Sequence, residues 1–211
     1  MPTPRQTLNP LNQLIILTIS LVWASVGMAQ DEEIHLSESL DVKTLYQPIA
    51  SLEVHGDTAV SLLEELETKH YRAVEVDDNF SSAIFDSLID TLDGSHSYFL
   101  RSDIDELSKF RYTLDDSLKS GSVEPGFEIY NTYYKRVLER LIYAINRIEN
   151  NIPQMDFSVD EYIQLDREDA PYAESIADLD EIWRLRIKNS VLSLRLTGDD
   201  DEEIKDKLSK R

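Results

Sequence analysis

Apolar residues recur every three or four positions along most of the chain after residue 56, which is the spacing of helices with one apolar face. The first predicted helix begins at a cap formed by Asp57. Its apolar stripe contains Val60, Leu63, Leu66, His70 and Val74. A second helix is predicted to begin at an Asn79 cap and to end at Gly94 in the left-handed conformation. Its inward positions are Ile84, Phe85, Leu88, Ile89 and Leu92.

Two further helices follow in the middle of the chain. Ser102 with Asp105 resembles a capping box and opens a helix that ends at Gly121. Its stripe contains Ile104, Leu107, Phe110, Arg111, Leu114 and Leu118. The longest helix is predicted over about 127–150, and its stripe contains Phe127, Tyr130, Tyr134, Val137, Leu138, Leu141, Ile145 and Ile148.

Residues 155–172 lack a helical period and include a proline, which predicts an extended loop with room for a short strand. A second capping box, Asp178 with Glu181, predicts a helix that Gly198 ends. The acidic run 199–203 then begins a final helix that looks cut short at residue 211. The expected fold is therefore all-α, with five to six helices in an irregular bundle and one extended loop before the last two helices.

The first 29 residues have the order of a secretory signal peptide. Arg5 is the only charge, an apolar run covers 14–24, and small residues precede a cut expected between Ala29 and Gln30. That run is shorter than the roughly 20 residues of a membrane span. An uncleaved signal anchor is the alternative, and after cleavage we expect no stable membrane anchor. Residues 30–56 form an acidic lead-in, and 57–211 form the main domain.

Composition narrows the classes of function. The chain has 41 acidic and 21 basic residues, so its net charge is −20. Nucleic-acid binding depends on clustered Lys and Arg, so we expect no nucleic acid partner. The chain has no cysteine, which removes disulfides, thiol nucleophiles and thiolate metal ligands.

Candidate chemistry is sparse. The four histidines show no zinc-binding spacing, and His70, with Glu67 one turn before it, is interpreted as a hydrogen-bonded helix residue. Residues 93–97 place Asp, Ser and His in one turn, but catalytic triads assemble from distant segments, so a glycine helix stop and a Ser/His turn are expected. The acidic clusters 77–78 and 199–203 lack a calcium-loop pattern and are interpreted as helix caps. We expect no metal and no cofactor.

The aromatic side chains of the longest helix leave two interpretations open. Phe127, Tyr130, Tyr133 and Tyr134 occur at helical spacing, which is typical of core packing. A peptide-binding groove is the second interpretation.

Several ordered segments resemble the N-terminal domain of the tail-specific protease family, which are periplasmic carboxy-terminal processing serine peptidases. They are 90–100 (DTLDGSHSYFL), 102–106 (SDIDE), 112–116 (YTLDD), 127–130 (FEIY), 136–140 (RVLER), 165–171 (LDREDAP), Trp183 and 192–196 (LSLRL). The resemblance runs from about residue 57 to the last residue. The structural positions that it singles out are Asp93, Tyr98, Phe99, Asp103, Phe127, Tyr130, Arg136, Arg140, Asp166, Arg167, Pro171 and Trp183.

The resemblance implies a periplasmic, non-catalytic domain. In this family a PDZ-like domain and a protease core with a serine nucleophile and a lysine base follow the helical region, and we expect both to be absent from these 211 residues. No catalytic residue is therefore assigned, and Ser95 does not inherit that role. The implied partners are the PDZ-like and protease domains, protein substrates with apolar C-terminal tails and an adaptor protein. The alternative is a free-standing secreted helical binding protein derived from such a protease, which would bind through the aromatic helix or the loop 166–171.

Overall fold

Eight α-helices and two single 3₁₀ turns make up most of the residues that the computed structural model describes, which are 40–69 and 74–210. The helices are α1 (Val42–Leu45), α2 (Glu53–Lys69), α3 (Asp78–Asp93), α4 (Arg101–Leu107), α5 (Leu114–Lys119), α6 (Glu124–Asn151), α7 (Ile176–Leu196) and α8 (Asp201–Ser209), and the 3₁₀ turns are Ser108–Phe110 and Ile152–Gln154. Strand pairing in this part of the chain is limited to one parallel bridge between Leu100 and Ala173. The predicted all-α fold is confirmed, and a non-helical segment precedes the last two helices as expected.

The helix count differs from the predicted five to six at two places. The lead-in contains the four-residue α1, and the single helix expected between residues 102 and 121 is divided into α4 and α5. The division follows from a tertiary contact. The Ser81 hydroxyl of α3 accepts a hydrogen bond from the Leu114 N–H at 2.8 Å and so satisfies a first-turn donor of α5.

Two predicted helix starts were wrong. Helix α2 begins at Glu53, which places Asp57 inside the helix, and the His55 ring nitrogen accepts the Leu52 N–H at 3.1 Å just before it. Helix α3 is capped by Asp77, whose carboxylate accepts the N–H groups of residues 79 and 80, so Asn79 lies inside the helix. For α3 a suitable cap, Asp77, occurs earlier in the sequence than the one predicted, whereas at the start of α2 the contact comes from a side chain of its own first turn.

The two predicted capping boxes were also misplaced. Helix α4 begins at Arg101, so Ser102 is inside it, and the Asp103 carboxylate reaches back to the Leu100 N–H at 2.8 Å. Helix α7 begins after Ser175, whose hydroxyl accepts the Asp178 N–H at 3.2 Å. The acidic start of the last helix was predicted correctly, because residues 200 and 203 there form a reciprocal capping box.

Of the three glycines predicted to end helices, two have the left-handed conformation and one does not. Gly121 and Gly198 have φ angles of 75° and 98°, which is the left-handed conformation expected after a helix. Gly94 does not follow this rule, because its φ is −59°. His96, two residues later, takes the positive φ of 44° instead, so the chain reverses inside the 94–97 turn.

Buried side chains form three clusters. The first joins α3 to α6 and contains Phe85, Ile89, Phe99, Leu107, Leu114 and Ile129. The second lies under the C-terminal helices and contains Ile148, Ile152, Ile187, Val191 and Ile204. The third is small and contains Leu100, Ala173 and Leu179. Helix α6 contributes to the first two and so connects them.

Within the described residues, no helix combines the length and the apolar character needed to cross a bilayer. The predicted signal peptide, its cut between Ala29 and Gln30, and the histidines at 35 and 70 lie outside the described residues.

Candidate functional site

The loop between α3 and α4, residues 94–100, is organised by one buried carboxylate. Asp93 is 1% exposed and accepts the backbone N–H groups of Ser97, Tyr98 and Phe99 at 2.8, 3.0 and 2.8 Å. Burial raises the pKa of Asp93, and these three hydrogen bonds oppose that rise. Because its oxygens are directed at the backbone, Asp93 acts as an internal brace for the loop.

Ser95 and His96 have partners of their own. The Ser95 and Ser97 hydroxyls are 2.6 Å apart, and the His96 Nδ1 contacts the carbonyl of Ala170. The His96 ring also stacks on Tyr172, with 4.0 Å between the ring centroids. The side chains of Asp93, Ser95 and His96 therefore stabilise a turn. This agrees with the interpretation of the segment as a glycine helix stop and a Ser/His turn.

Helix α7 holds the same loop from the other side. The Trp183 indole N–H donates to the Ser97 carbonyl at 2.7 Å, and Arg186 donates to the Ser97 hydroxyl at 2.8 Å. Tyr98 contacts both Trp183 and Tyr133 edge to face, each at 5.4 Å between centroids. Residues from α3, α6 and α7 thus meet at this loop.

The segment 166–173 also contacts the loop between α3 and α4. Arg167 donates to the carbonyls of His96 and Pro171 at 3.2 and 3.5 Å. Burial lowers the pKa of Arg167, with a smaller contribution from Arg186. The Asp166 carboxylate accepts the Glu168 N–H at 3.3 Å and is otherwise exposed.

Two ion pairs attach α6 to its neighbours. Arg136 donates to both oxygens of Asp103 at 2.8 and 2.9 Å, and both side chains are at most 15% exposed. This bidentate contact raises the pKa of Arg136 further above its ordinary value. One turn later Arg140, which is 4% exposed, contacts Asp180 at 2.5 Å.

The structure therefore brings most of the predicted positions together. Asp93, Tyr98, Phe99, Arg167, Pro171 and Trp183 meet at the loop, while Asp103, Arg136 and Arg140 attach the helices around it. Sequence reasoning missed Tyr172 and Arg186. Their only sequence signals are the positions of Tyr172 beside Pro171 and of Arg186 three residues after Trp183. Across 40–69 and 74–210, no three His, Asp or Glu side chains are placed to hold a metal ion.

Phe127 and Tyr130 lie elsewhere, on an apolar groove between α3, α5 and α6. This cavity has a volume of about 460 Å³. Its lining consists of Ile49, Ile84, Leu88, Leu114, Leu118, Ser122, Val123, Pro125, Gly126, Phe127 and Tyr130. A shallower cavity of about 410 Å³ shares Ile84 and Leu88 with it and extends over Phe80, Ala83, Ser87 and Thr91. We call the two together the α3 groove.

The aromatic side chains of α6 divide between the two interpretations offered by the sequence. Tyr133 packs against Phe99 and Tyr98 next to the first core cluster. Tyr134 contacts Tyr46 of the lead-in at 5.8 Å. Phe127, stacked on His55 at 5.5 Å, and Tyr130, which is 39% exposed, line the α3 groove. One part of the aromatic stripe is therefore core and the other part is open surface.

Ile84 and Leu88 were predicted to point inward, and the structure places them at the rim of the core. Phe85 and Ile89 are 1% and 4% exposed, whereas Ile84 and Leu88 are half-buried and line the groove. The sequence carried no separate signal for the groove, since an apolar stripe of this width is also usual for a helix packed on a core.

Comparisons with known proteins indicate the family of this chain. Residues 62–211 match the family described as the tail specific protease N-terminal domain. A protein of Haemophilus influenzae named Tail-specific protease is 40% identical to this chain over 147 residues. Those residues are 69% of this chain and 21% of the relative, so the chain spans about a fifth of the relative's length. Both the Asp93 loop and most of the α3 groove lie inside the matched residues.

Proposed function

This chain belongs to the tail-specific protease N-terminal domain family, and from that premise we propose that it serves proteolysis as a non-catalytic helical domain of such a protease. The domain comprises residues 57–211, follows a cleaved signal peptide and works in the periplasm. Its role is architectural: it helps to wall the chamber in which a substrate with an apolar C-terminal tail is cut, and it offers surface to substrates and to an adaptor. The PDZ-like and protease domains that complete the enzyme are its partners.

One observation carries this proposal. Asp93, Ser95 and His96 place three catalytic residue types in one turn, and each has a partner. Asp93 accepts N–H groups of the loop, the Ser95 hydroxyl contacts that of Ser97, and the His96 ring contacts the carbonyl of Ala170. A general base must reach the proton that it removes, and a nucleophile must be free to attack. The same fold leaves a wide apolar surface open at the α3 groove, which suits contact with another polypeptide.

A domain replacement in the Haemophilus influenzae relative tests the proposal. The matched region of that protease would be replaced by residues 62–211 of this chain, and a second version would lack the region. Cleavage of a test protein with an apolar C-terminal tail would be followed by gel. We expect the replacement to cleave and the deletion to lose most of its activity.

The 211-residue chain alone is the control, and we expect it not to cleave the same protein. Two results would contradict the proposal: a deletion version as active as the replacement, or cleavage by the isolated chain that is lost in Ser95→Ala.

A further inference from the structure

The α3 groove is large enough to hold part of a polypeptide. Its deeper cavity of about 460 Å³ falls within the range of about 300–1,000 Å³ for ligand sites. On α3 the lining runs from Phe80 to Thr91, eleven residues further along the helix, which is about 16 Å at the helical rise. An extended segment of about five residues has the same length.

The chemistry of the lining selects an apolar occupant. Ser122, Ser87 and Thr91 are the only polar side chains on it, and the rest are aliphatic, aromatic, proline or glycine. Burying an apolar side chain there removes its surface from water, which favours binding. An occupant without apolar side chains would gain little from this surface.

The charged residues of the neighbouring segments indicate which charges an occupant should carry on either side of its apolar residues. The three basic residues in the segment 109–119, which includes α5, are each held by a carboxylate: Lys109 by Glu128, Arg111 by Asp86 and Lys119 by Asp115. The basic side chain of α5, a helix that lines the groove, is therefore neutralised by its carboxylate partner.

Two carboxylates that are adjacent in sequence to lining residues have no basic partner in the described part of the chain. Asp90 is exposed on α3, between Ser87 and Thr91 of the lining. Glu124 is exposed on the wall formed by α6, where it accepts hydrogen bonds from Ser122 and Ser51. The bond from Ser122 lowers the pKa of Glu124.

We propose that the α3 groove binds a short apolar segment of an unfolded protein that carries lysine or arginine on both sides of its apolar residues. The proposal rests on the proposed function, because an unfolded substrate must lie against the wall of a protease chamber. A second copy of this chain is a poor occupant, since two proteins with a net charge of −20 repel each other.

A fluorescent nonapeptide tests the proposal directly. The probe has five apolar residues between two pairs of lysines, and its binding to the 211-residue chain would be measured by fluorescence anisotropy. Two control probes replace the lysines by glutamates or the apolar residues by serines. We expect the lysine probe to bind at least about fivefold more tightly than the glutamate probe at low salt, with a smaller difference at high salt. The serine probe is expected not to bind.

Matched variants locate the binding site. Tyr130→Ser removes an aromatic wall of the groove, and we expect it to weaken binding of the lysine probe at least about fivefold. Leu141→Ser is its control, because Leu141 is 50% exposed on the same helix and does not line the groove. Asp90→Lys alters only an exposed charge, and we expect it to reduce the preference for lysine over glutamate flanks without weakening the fold.

Three results would overturn the proposal: no binding of the lysine probe, equal binding of the lysine and glutamate probes at low salt, or no effect of Tyr130→Ser. A fourth would be loss of probe binding in the active replacement protease, which would assign the groove to an interface with the rest of that enzyme. The first three results are obtained with the 211-residue chain alone and do not depend on whether either version of the protease cleaves, so failure of the groove and failure of the proposed function are distinguished.

Discussion

Asp93 shows how one buried side chain can set the shape of a loop. Its carboxylate has lost nearly all contact with water, and three backbone N–H groups replace that hydration. Loop amides without such a partner would be buried and unsatisfied, which is costly. The path of the chain from α3 to α4 therefore depends in part on the Asp93 carboxylate.

Substitution of this residue tests the dependence. We expect Asp93→Ala to lower the free energy of unfolding by about 2–4 kcal/mol, because it leaves three loop donors without an acceptor. Urea denaturation followed by circular dichroism measures the change. Asp90→Ala, one turn earlier and exposed, is the control and is expected to stay within about 0.5 kcal/mol of the parent. Equal effects of the two substitutions would contradict the assigned role.

A second residue connects stability to pH. Glu161, on the loop before α7, contacts Arg184 at 2.5 Å and also contacts Lys188. The hydrogen bond from Arg184, followed by that from Lys188, lowers the pKa of Glu161. A carboxyl group whose pKa is lower in the folded state stabilises the fold above its unfolded pKa, near 4.3, and loses this effect as the pH falls through the folded value.

We therefore expect Glu161→Gln to lower the melting temperature at pH 7 and to lose that difference as the pH falls below about 4. Scanning calorimetry over a pH series measures the gap between the two proteins. Glu174→Gln, at an exposed position without an ion pair in the described residues, is the control and should show no gap. A gap for Glu161→Gln that persisted at pH 2.5, or that grew on acidification, would contradict the prediction.

At the scale of the element, α2 is attached by a contact between backbones. Gly56 is buried in α2, and a methyl group added to it would lie 2.2 Å from the carbonyl oxygen of Gly121. Gly121 has a φ of 75°, so it is itself fixed by the turn after α5. Only Leu63 and Gly56 of α2 are buried, which leaves this approach as a major part of its packing.

Gly56→Ala is accordingly expected to displace α2 from α5, because the carbonyl group cannot move away. We expect faster proteolysis between residues 53 and 69 and a loss of about 1–3 kcal/mol in stability. Gly126→Ala is a matched control, since nothing lies within 4 Å of the added methyl group and alanine favours a helix by about 1 kcal/mol over glycine. Stabilisation by both substitutions would show that α2 does not pack as described.

The helices could be predicted where the sequence carries the determinants locally. Helix α6 has a long 3.6-residue period, and the start of α8 has its own capping box, so both were found. The break between α4 and α5 could not be predicted, because its cap comes from Ser81, 33 residues earlier. The loop partners Tyr172 and Arg186 were missed for the same reason. Periodicity identified Ile84 and Leu88 as apolar but could not tell a core face from an open groove.

At the scale of the whole molecule, α6 connects two cores with separate sets of helices. The first core draws on α3, α4, α5 and α6, and the second on the end of α6 with α7 and α8. The contacts between the two parts are α6 itself, the ion pair between Arg140 and Asp180, the hydrogen bonds from α7 to Ser97 and the small third cluster. Regions of a protein with separate packing can open at different free energies.

Hydrogen exchange tests this separation. Ile204→Ala removes a fully buried side chain from the second core, for which we expect a loss of about 2–5 kcal/mol. Amide protection should fall in α8, in the end of α7 and in the end of α6, while amides of α3 keep most of theirs. Leu196→Ala, at a position that is 79% exposed, is the control and should leave the pattern unchanged. A uniform loss of protection would indicate a single cooperative unit.

The bridge between Leu100 and Ala173 has a consequence for the speed of folding. Helical proteins fold fast when their contacts are local in sequence. Here the contacts that complete the loop after α3 are far apart in sequence. Ser97 and Trp183 are separated by 86 positions, and Ser97 and Arg186 by 89. Closing so long a loop costs chain entropy before any contact repays it. The loop after α3 is therefore completed only when α7 docks, and the chain is expected to fold more slowly than a bundle of sequential hairpins of the same length.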